Sequence, residues 1–525
     1  MTRPTQAEGL GAIVMAAGMG TRMKSKLAKV LHPVAGRPMV LYAIDLAERL
    51  ADRGVVTIVG YQGDQVQALI HAREVRRQMA PSRRPRTMVV EQRQQLGTGH
   101  AVIQARDAMV AAGVEPAPAY VILNGDTPLL SEETVRALTQ LHRKDGATIT
   151  ILTALLDDPK GYGRVVRQTK TSRGKTKAAD GAVLRIVEDR DATAAERQIG
   201  EINVGTYVVD GPFLFEALDQ LEPKNTQNEY YLTDLLGLAV ARGLRVSAMP
   251  LRDPDEGMGV NTRQHLAFAE RVLRQRICAH WMAEGVTVRD PATTWIDADV
   301  TIGRDTVLYP QVTLEGRTTI GEDCVIRSQT RITDSSLGHR VVVQDACVLR
   351  EAVLEEDTAV GPFAHLRPGA VLRRAARVGN FVEIKKADLG EGSKANHLSY
   401  IGDAKIGKDV NIGAGTITCN YDGAHKHQTI VGDHVFIGSD SQLIAPVTIG
   451  SGAVIAAGST VTEDVPPDAL AISRPAQVTR PGWAARRRAL PDMVPEDTGG
   501  KQKQSSQAEH PDTKEQSTLV SAGGR

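Results

Sequence analysis

At 525 residues the chain exceeds a single small binding module, and roughly 150 residues per domain suggests two to four domains. Its 63 Lys and Arg against 62 Asp and Glu leave a formal charge of +1, which excludes a general basic field for nucleic acid or membrane surfaces. Six Phe, ten Tyr and three Trp offer few stacking platforms for single strands, so a core of Val, Ile, Leu and Ala is expected.

Met1–Gly9 is too polar for a signal sequence, and no apolar run approaches the roughly 18 residues that span a bilayer. A soluble cytoplasmic protein is expected, with neither nucleic-acid nor membrane partners. Cys278, Cys324, Cys347 and Cys419 include no CxxC pair and read as reduced structural thiols.

In chain order, Gly11–Ala17, Val55–Gly60, Thr87–Glu91 and Tyr120–Leu123 read as strands, with helical patterns such as Pro38–Leu50 and His100–Val110 between them. This alternation predicts a doubly wound, Rossmann-like α/β domain over residues 1–261. The polar, basic Gln168–Asp180 segment reads as an exposed hairpin insertion, and Thr262–Met282 as an amphipathic helix within a linker over 262–284. Beyond residue 290 apolar residues fall every six positions: Ile302 to Ile332, Leu354 to Ile384 and Val431 to Val461. Glycine often follows the apolar residue, as at Ile302–Gly303 and Ile437–Gly438. This period predicts a hexapeptide parallel β-helix over 285–480, with loops leaving the coil near Leu337, near Leu389 and at His425–Gln428. Residues 481–525 read as a disordered tail.

The string Ala16-Ala17-Gly18-Met19-Gly20-Thr21-Arg22-Met23 follows a strand. Its small residues let backbone N–H groups approach a base or phosphates, while Arg22 and Lys29 supply cations. An ordinary glycine-rich turn is the plainer alternative. Gln95-Leu96-Gly97-Thr98-Gly99-His100-Ala101 is a loop entering a helix, and Leu123-Asn124-Gly125-Asp126 places a carboxylate at the end of an apolar strand. That carboxylate suits a magnesium ion, or merely caps the next helix. Further strings are Gly161-Tyr162-Gly163-Arg164, Ile186-Val187-Glu188-Asp189, Glu201-Ile202-Asn203-Val204-Gly205, Tyr230-Tyr231-Leu232-Thr233-Asp234 and Gly259-Val260-Asn261. Within the repeats, polar strings interrupt the rhythm: Leu366-Arg367-Pro368-Gly369, Gly379–Lys386, Lys394–Tyr400 and Asn411–Gly423. His397 suits a general base, since neutral imidazole accepts a proton near physiological pH, although a lone surface His is more often merely solvated.

From Lys24 to Val34 the first loop continues in a way that is similar to the signature of sugar-1-phosphate nucleotidyltransferases. From Gly11 to Arg480 the whole order of strings resembles the bacterial bifunctional family of UDP-N-acetylglucosamine pyrophosphorylase and glucosamine-1-phosphate N-acetyltransferase. The resemblance implies a left-handed β-helix, a homotrimer, Mg²⁺, and UTP and acetyl-CoA as substrates. It assigns Met15, Ala16, Ala17, Gly18, Gln92, Gly97 and Thr98 to uridine, and Arg22 and Lys29 to the triphosphate, with Arg22 catalytic. Gly163, Glu188 and Asn203 fall to the sugar, and Asp126 and Asn261 to the metal, with Asn124 and Gly125 beside them. Arg367, Lys385, Tyr400 and Asn411 would take glucosamine-1-phosphate, with His397 as catalytic base. Ala414, Asn420, Tyr421, Ser439, Ala457 and Arg474 would line the acetyl-CoA groove. Where the family often has Tyr before the Gly-Asp pair this chain has Asn124, and where the first loop often starts with Leu it has Met15. Two other readings remain open: a monofunctional nucleotidyltransferase with a structural, oligomerising β-helix, and a catalytically dead scaffold. Retention of Arg22, Lys29 and Asp126 opposes the second.

Overall fold

The structure is a computed structural model that describes residues 9–78, 87–168, 170–172, 175–177 and 181–488. Leu10–Ala16, an apolar run, forms the central strand of a nine-stranded sheet and pairs in parallel with Val55–Val59 on one side and Ala119–Asn124 on the other. Being buried on both faces, these strands read as continuous Val, Ile and Leu rather than as an alternation. Thr87–Glu91 extends the sheet beyond Val55–Val59, while Glu201–Asp210 runs antiparallel to Ala119–Asn124 on the other side. The strand order therefore reverses beside Leu10–Ala16, and the crevice at such a switch point is where open α/β sheets bind ligands. Helices Met39–Leu50 and Thr98–Ala111 pack on opposite faces. The expected hairpin insertion is present as Lys170–Ser172 paired antiparallel with Lys175–Lys177.

Helix Arg263–Ala283 is capped by the Thr262 hydroxyl, which accepts from the His265 N–H at 3.2 Å. Its Ala269 and Leu273 pack with Val34, Met39, Leu129 and Val260 of the α/β layer, whereas Cys278 lies in the core of the coils, with Ile277 and Trp281 against it. Arg276 donates to the Leu129 carbonyl at 2.6 Å and pairs with Asp253 at 3.2 Å. The segment read as a linker is thus a brace packed at both ends.

From Thr287 to Ala471 the chain winds into a triangular coil whose three faces are parallel sheets of 11, 10 and 9 short strands. The first face runs from Thr287–Val288 to Leu470–Ala471, the second from Trp295–Ile296 to Thr460–Val461, and the third from Thr301–Ile302 to Val447–Ile449. The six-residue apolar positions point inward: Leu308, Leu314, Ile326, Leu366, Ile384, Ile437 and Ile455 are all fully buried. Each such side chain contributes about 1.5–3 kcal/mol by leaving water. Cys324 and Cys347 sit in the same core, all four cysteines are free thiols, and burial raises their pKa.

Two expected loops are absent. Leu337 stacks between Ile320 and Leu354, and Leu389 between Leu372 and Ile406, without any departure from the coil. The missing residue is removed at the corner, where Asp334 (φ 47°) and Lys386 (φ 45°) take the left-handed backbone that full-length corners such as Asp305 and Gln311 also use. Only the third interruption leaves the coil, between Cys419 and Thr429, with Tyr421 bridged to Lys426. Of the expected tail, Trp483–Arg488 forms a short helix, and residues 489–525 lie outside the described residues.

Candidate active sites

The switch-point crevice opens where Met15 stands in register with Asn124. The Gly125 N–H donates to the Met15 carbonyl at 2.8 Å, which sets the Ala16-Ala17-Gly18 loop beside the Gly125-Asp126 pair. A cavity of 370 Å³ lies over these residues and is closed on its far side by Gln92, Gly97 and Thr98. Gly97 has φ 105°, and a Cβ there would stand 2.5 Å from the Tyr230 carbonyl, so no other residue fits. The irregular segment at Tyr230 splints this loop: Tyr230 N–H donates to Leu96 at 2.8 Å, Gly99 N–H to Tyr230 at 2.7 Å, and Leu232 N–H to the Thr98 hydroxyl at 3.1 Å. Buried Gln92 donates to the Gly97 carbonyl at 3.0 Å. Sequence reasoning missed Gln95, whose amide donates to the Ala17 carbonyl at 2.8 Å and ties the two loops together.

Lys29, on a 3-10 turn, places its ammonium between the Asp126 carboxylate and the Asn261 amide oxygen, the latter at 3.0 Å. The Val260 N–H donates to the Asp126 carbonyl at 2.9 Å, which holds the Gly259-Val260-Asn261 string against the strand end. Asp126 does not cap the following helix; Ser131 does, accepting from the Thr134 N–H at 3.1 Å. Two oxygens converging on one cationic nitrogen form a donor set that suits a hard divalent ion completed by phosphates and water, and the ammonium stands in for that charge. Arg22 lies exposed on the turn Thr21–Met23, at the edge of the same crevice, with no ion pair among the described residues.

A further cavity of 340 Å³ continues from Asp126 and Asn261 to Gly163, Glu188 and Asn203. The register of Glu201–Asp210 against Ile149–Leu155 shifts between Asn203 and Tyr207. Gly205 at φ 81° makes that bulge possible, since a Cβ would stand 2.5 Å from the Asn124 amide nitrogen. The bulge holds Asn203: its amide donates to the Tyr207 hydroxyl at 2.7 Å and accepts from the Gly205 N–H at 3.0 Å. Burial raises the Glu188 pKa, the Thr233 hydroxyl opposes the shift, and Asp191 and Asp234 add to it. Tyr162, missed as a candidate, lines this cavity, and burial raises its phenol pKa.

The candidates within the coils fall into two groups on different edges. At the end of the second face, Arg367 pairs with Glu383 at 2.7 Å, and Lys426 from the excursion loop holds the Lys385 pKa below the ordinary lysine range. Asn420, 7% exposed, donates to the Asp403 carboxylate and, at 3.5 Å, approaches the Tyr400 hydroxyl. Tyr421 is exposed and donates to the Gly423 carbonyl. At the end of the first face, exposed His397 lies in register with Asn380, whose amide oxygen is 2.7 Å from Nδ1. That oxygen keeps the proton on Nδ1 and leaves Nε2 with a free lone pair. Above His397 on this edge stand Ala414, Ser439 and Ala457, whose carbonyls accept in turn from the Asp440 N–H at 2.7 Å, the Gly458 N–H at 2.8 Å and the Arg474 guanidinium. Asn411 begins the strand just before Ala414, between Lys394 and Phe436. Among the described residues no hydrogen bond or ion pair joins His397 to Arg367, Lys385 or Asn420. Lys426, Asp403 and Asn380 carried no separate signal in sequence, because each acts through a partner one coil away or on the excursion loop.

Residues 12–190 match the model of the MobA-like NTP transferase domain, and residues 299–334 and 428–463 match that of the bacterial transferase hexapeptide, six repeats. The chain is 49% identical over 477 residues to the bifunctional protein GlmU of Trichlorobacter lovleyi, which spans 91% of this chain and 98% of that one. It is 47% identical over 478 residues to the protein of the same name from Geobacillus thermodenitrificans, with 91% and 98% covered. For that of Pelobacter propionicus the identity is 48% over 480 residues, with 91% and 99% covered.

Proposed function

Since the chain belongs to the family of bifunctional GlmU proteins, we propose that it acetylates glucosamine-1-phosphate from acetyl-CoA and couples the product to UTP. The second step releases pyrophosphate and yields UDP-N-acetylglucosamine, a precursor of peptidoglycan and, where present, of lipopolysaccharide. The observation that carries this reading is the presence, on one chain, of a cation-binding switch-point crevice and a free imidazole nitrogen beside a small-residue groove.

In uridylyl transfer a phosphate monoester attacks the α-phosphorus of UTP while both partners are anionic, so repulsion is the main barrier. Asp126 and Asn261 would hold Mg²⁺, which would supply charge neutralisation on the phosphate oxygens. Arg22 meets the phosphates at the crevice mouth, and the Lys29 ammonium neutralises charge on the same oxygens. Met15 to Gly18, Gln92, Gly97 and Thr98 seat the uridine; Gly163, Glu188 and Asn203 orient the sugar for in-line attack.

In acetyl transfer the amine must lose a proton to attack the thioester. Nε2 of His397 takes it, and Asn380 steadies the resulting imidazolium through Nδ1–H. Arg367 and Lys385 bind the sugar phosphate, and Tyr400 and Asn411 its hydroxyl and amine groups. Asn420 orients the thioester in a groove past Ala414, Ser439 and Ala457, with Arg474 and Tyr421 toward CoA. The groups lie on two edges of one coil, so a complete site draws on two chains, in a homotrimer closed by a head-to-tail ring. No helix among the described residues is long and apolar enough to cross a membrane, in keeping with a cytoplasmic enzyme acting on soluble substrates. A purely structural β-helix leaves the His397–Asn380 and Asn420–Asp403 contacts without a purpose. An end-point assay with UTP, acetyl-CoA and glucosamine-1-phosphate, each omitted in turn, tests the reading. Acetylated sugar phosphate accumulates without UTP; its absence there, with the nucleotide sugar still formed in the full mixture, overturns the order.

A further inference from the structure

The largest of the cavities described, 720 Å³, lies away from both candidate sites, in the cleft between the α/β layer and the first two coils. It exceeds each cavity of the nucleotide crevice, at 520, 370 and 340 Å³, and falls in the range of a small-molecule site. The α/β wall presents the apolar side chains of Pro38, just before helix Met39–Leu50, Leu41 within it and Leu69 of helix Gly63–Gln78, among Arg37, Asp45 and Arg73. The opposite wall is the outer surface of the third face, where Thr301 and Thr319 stand in register. The Ala298 N–H donates to the Ala35 carbonyl at 2.9 Å and closes one end.

The charges in this cleft are unequal in their commitments. Arg73 is bound to Asp45 and Glu48, and Arg37 to Asp45 and, at 3.7 Å, to Asp299. Arg317 is exposed at the rim: its backbone N–H donates to the Asp334 carboxylate at 3.0 Å, while its guanidinium makes no ion pair among the described residues. Apolar side chains facing hydroxyls, with one guanidinium free of an ion pair at the mouth, suit an organic molecule with an apolar body and a single anionic group. We propose that this cleft is a ligand site for a small amphiphilic anion, with Arg317 taking the anionic group and Leu41 and Leu69 the body.

The test uses the full chain and 8-anilinonaphthalene-1-sulfonate, followed by fluorescence, beside its uncharged counterpart N-phenyl-1-naphthylamine. The native protein binds the sulfonate saturably, UTP does not displace it, and Arg317→Glu weakens it about tenfold or more while leaving the uncharged probe unchanged. Thr301→Trp, on the outer surface of a coil, fills the cleft and removes both probes. Both variants retain native acetyl transfer and a native circular dichroism spectrum, which shows that the coil folds. The proposal is overturned by displacement with UTP, by sulfonate affinity that Arg317→Glu does not change, or by binding that survives Thr301→Trp.

Discussion

At the scale of single residues the two chemistries separate. Asp126 and Asn261 touch only the nucleotide crevice, so Asp126→Ala or Asn261→Ala abolishes uridylyl transfer and leaves acetyl transfer intact; normal uridylyl turnover in either variant removes the metal assignment. His397→Ala lowers acetyl-transfer turnover by on the order of 10²–10⁴-fold, the usual worth of general-base catalysis. Its residual rate climbs with pH as the substrate amine deprotonates itself, whereas uridylyl transfer stays at the native rate; parent-rate acetylation at neutral pH excludes the residue. Glu188 carries a stability cost. Burial raises its folded-state pKa above the ordinary 4.5, so the folded chain holds the proton longer than the unfolded one. Its contribution to stability is therefore full below that value and is lost as pH rises through the folded pKa. Glu188→Gln removes the loss: the variant melts higher than the native protein at pH 8, the gap closes at pH 4, and KM for the sugar phosphate rises. A gap that stays constant with pH refutes the buried-carboxyl account.

At the scale of elements, the coil rests on a stack of identical inward positions, each supported by the coils above and below. Leu366→Ala opens a void between Leu349 and Ile384, which costs about 2–5 kcal/mol. Thermal unfolding should show that loss in the melting of the coil, with uridylyl transfer still native at low temperature. The six-residue period was legible in sequence because an inward apolar residue recurs on every side, and the α/β strands because burial on both faces makes continuous apolar runs. The corners were not. A missing residue becomes a tighter corner where the next apolar residue still stacks in register, Leu337 on Ile320 and Leu389 on Leu372, and no local identity announces that long-range pairing. Candidate residues were legible as strings, but their contacts were not. Lys29 reaches Asp126 across 97 positions and Asn261 across 232, and a linear reading carries no signal for a pair closed by the sheet. The division of the acetyl candidates between two edges was hidden for a related reason: neighbours in sequence along a coil lie on different faces.

Across the whole molecule the two chemistries share one brace, and its contacts say where the chain can be divided. Helix Arg263–Ala283 gives its first turns to the α/β layer through Ala269 and Leu273, and its last turns to the coil core through Cys278. Arg276 is the last residue of the helix to make a side-chain hydrogen bond or ion pair with the α/β layer among the described residues, through Leu129 and Asp253, and Ile277 packs against both that layer and the coil core. A chain ending at Arg276 keeps Asn261, its Thr262 cap and the Leu273 contact, and loses the single Ile277 contact with the α/β layer along with the last turns of the helix. It should retain uridylyl transfer and no acetyl transfer. A chain starting at Ile277 keeps Cys278 and Trp281 as a lid on the open end of the coil, which otherwise exposes its apolar core to water. That piece should acetylate glucosamine-1-phosphate and sediment as a trimer. The Ala298 to Ala35 hydrogen bond and the Arg37 to Asp299 ion pair are broken by the cut, but the ion pair is exposed on one side and worth at most about 1 kcal/mol. Circular dichroism establishes that each piece is folded before its activity is measured. If both pieces are folded and soluble yet neither turns over its substrate, the activities depend on the contact across the cleft, and the assignment of one chemistry to each body is wrong.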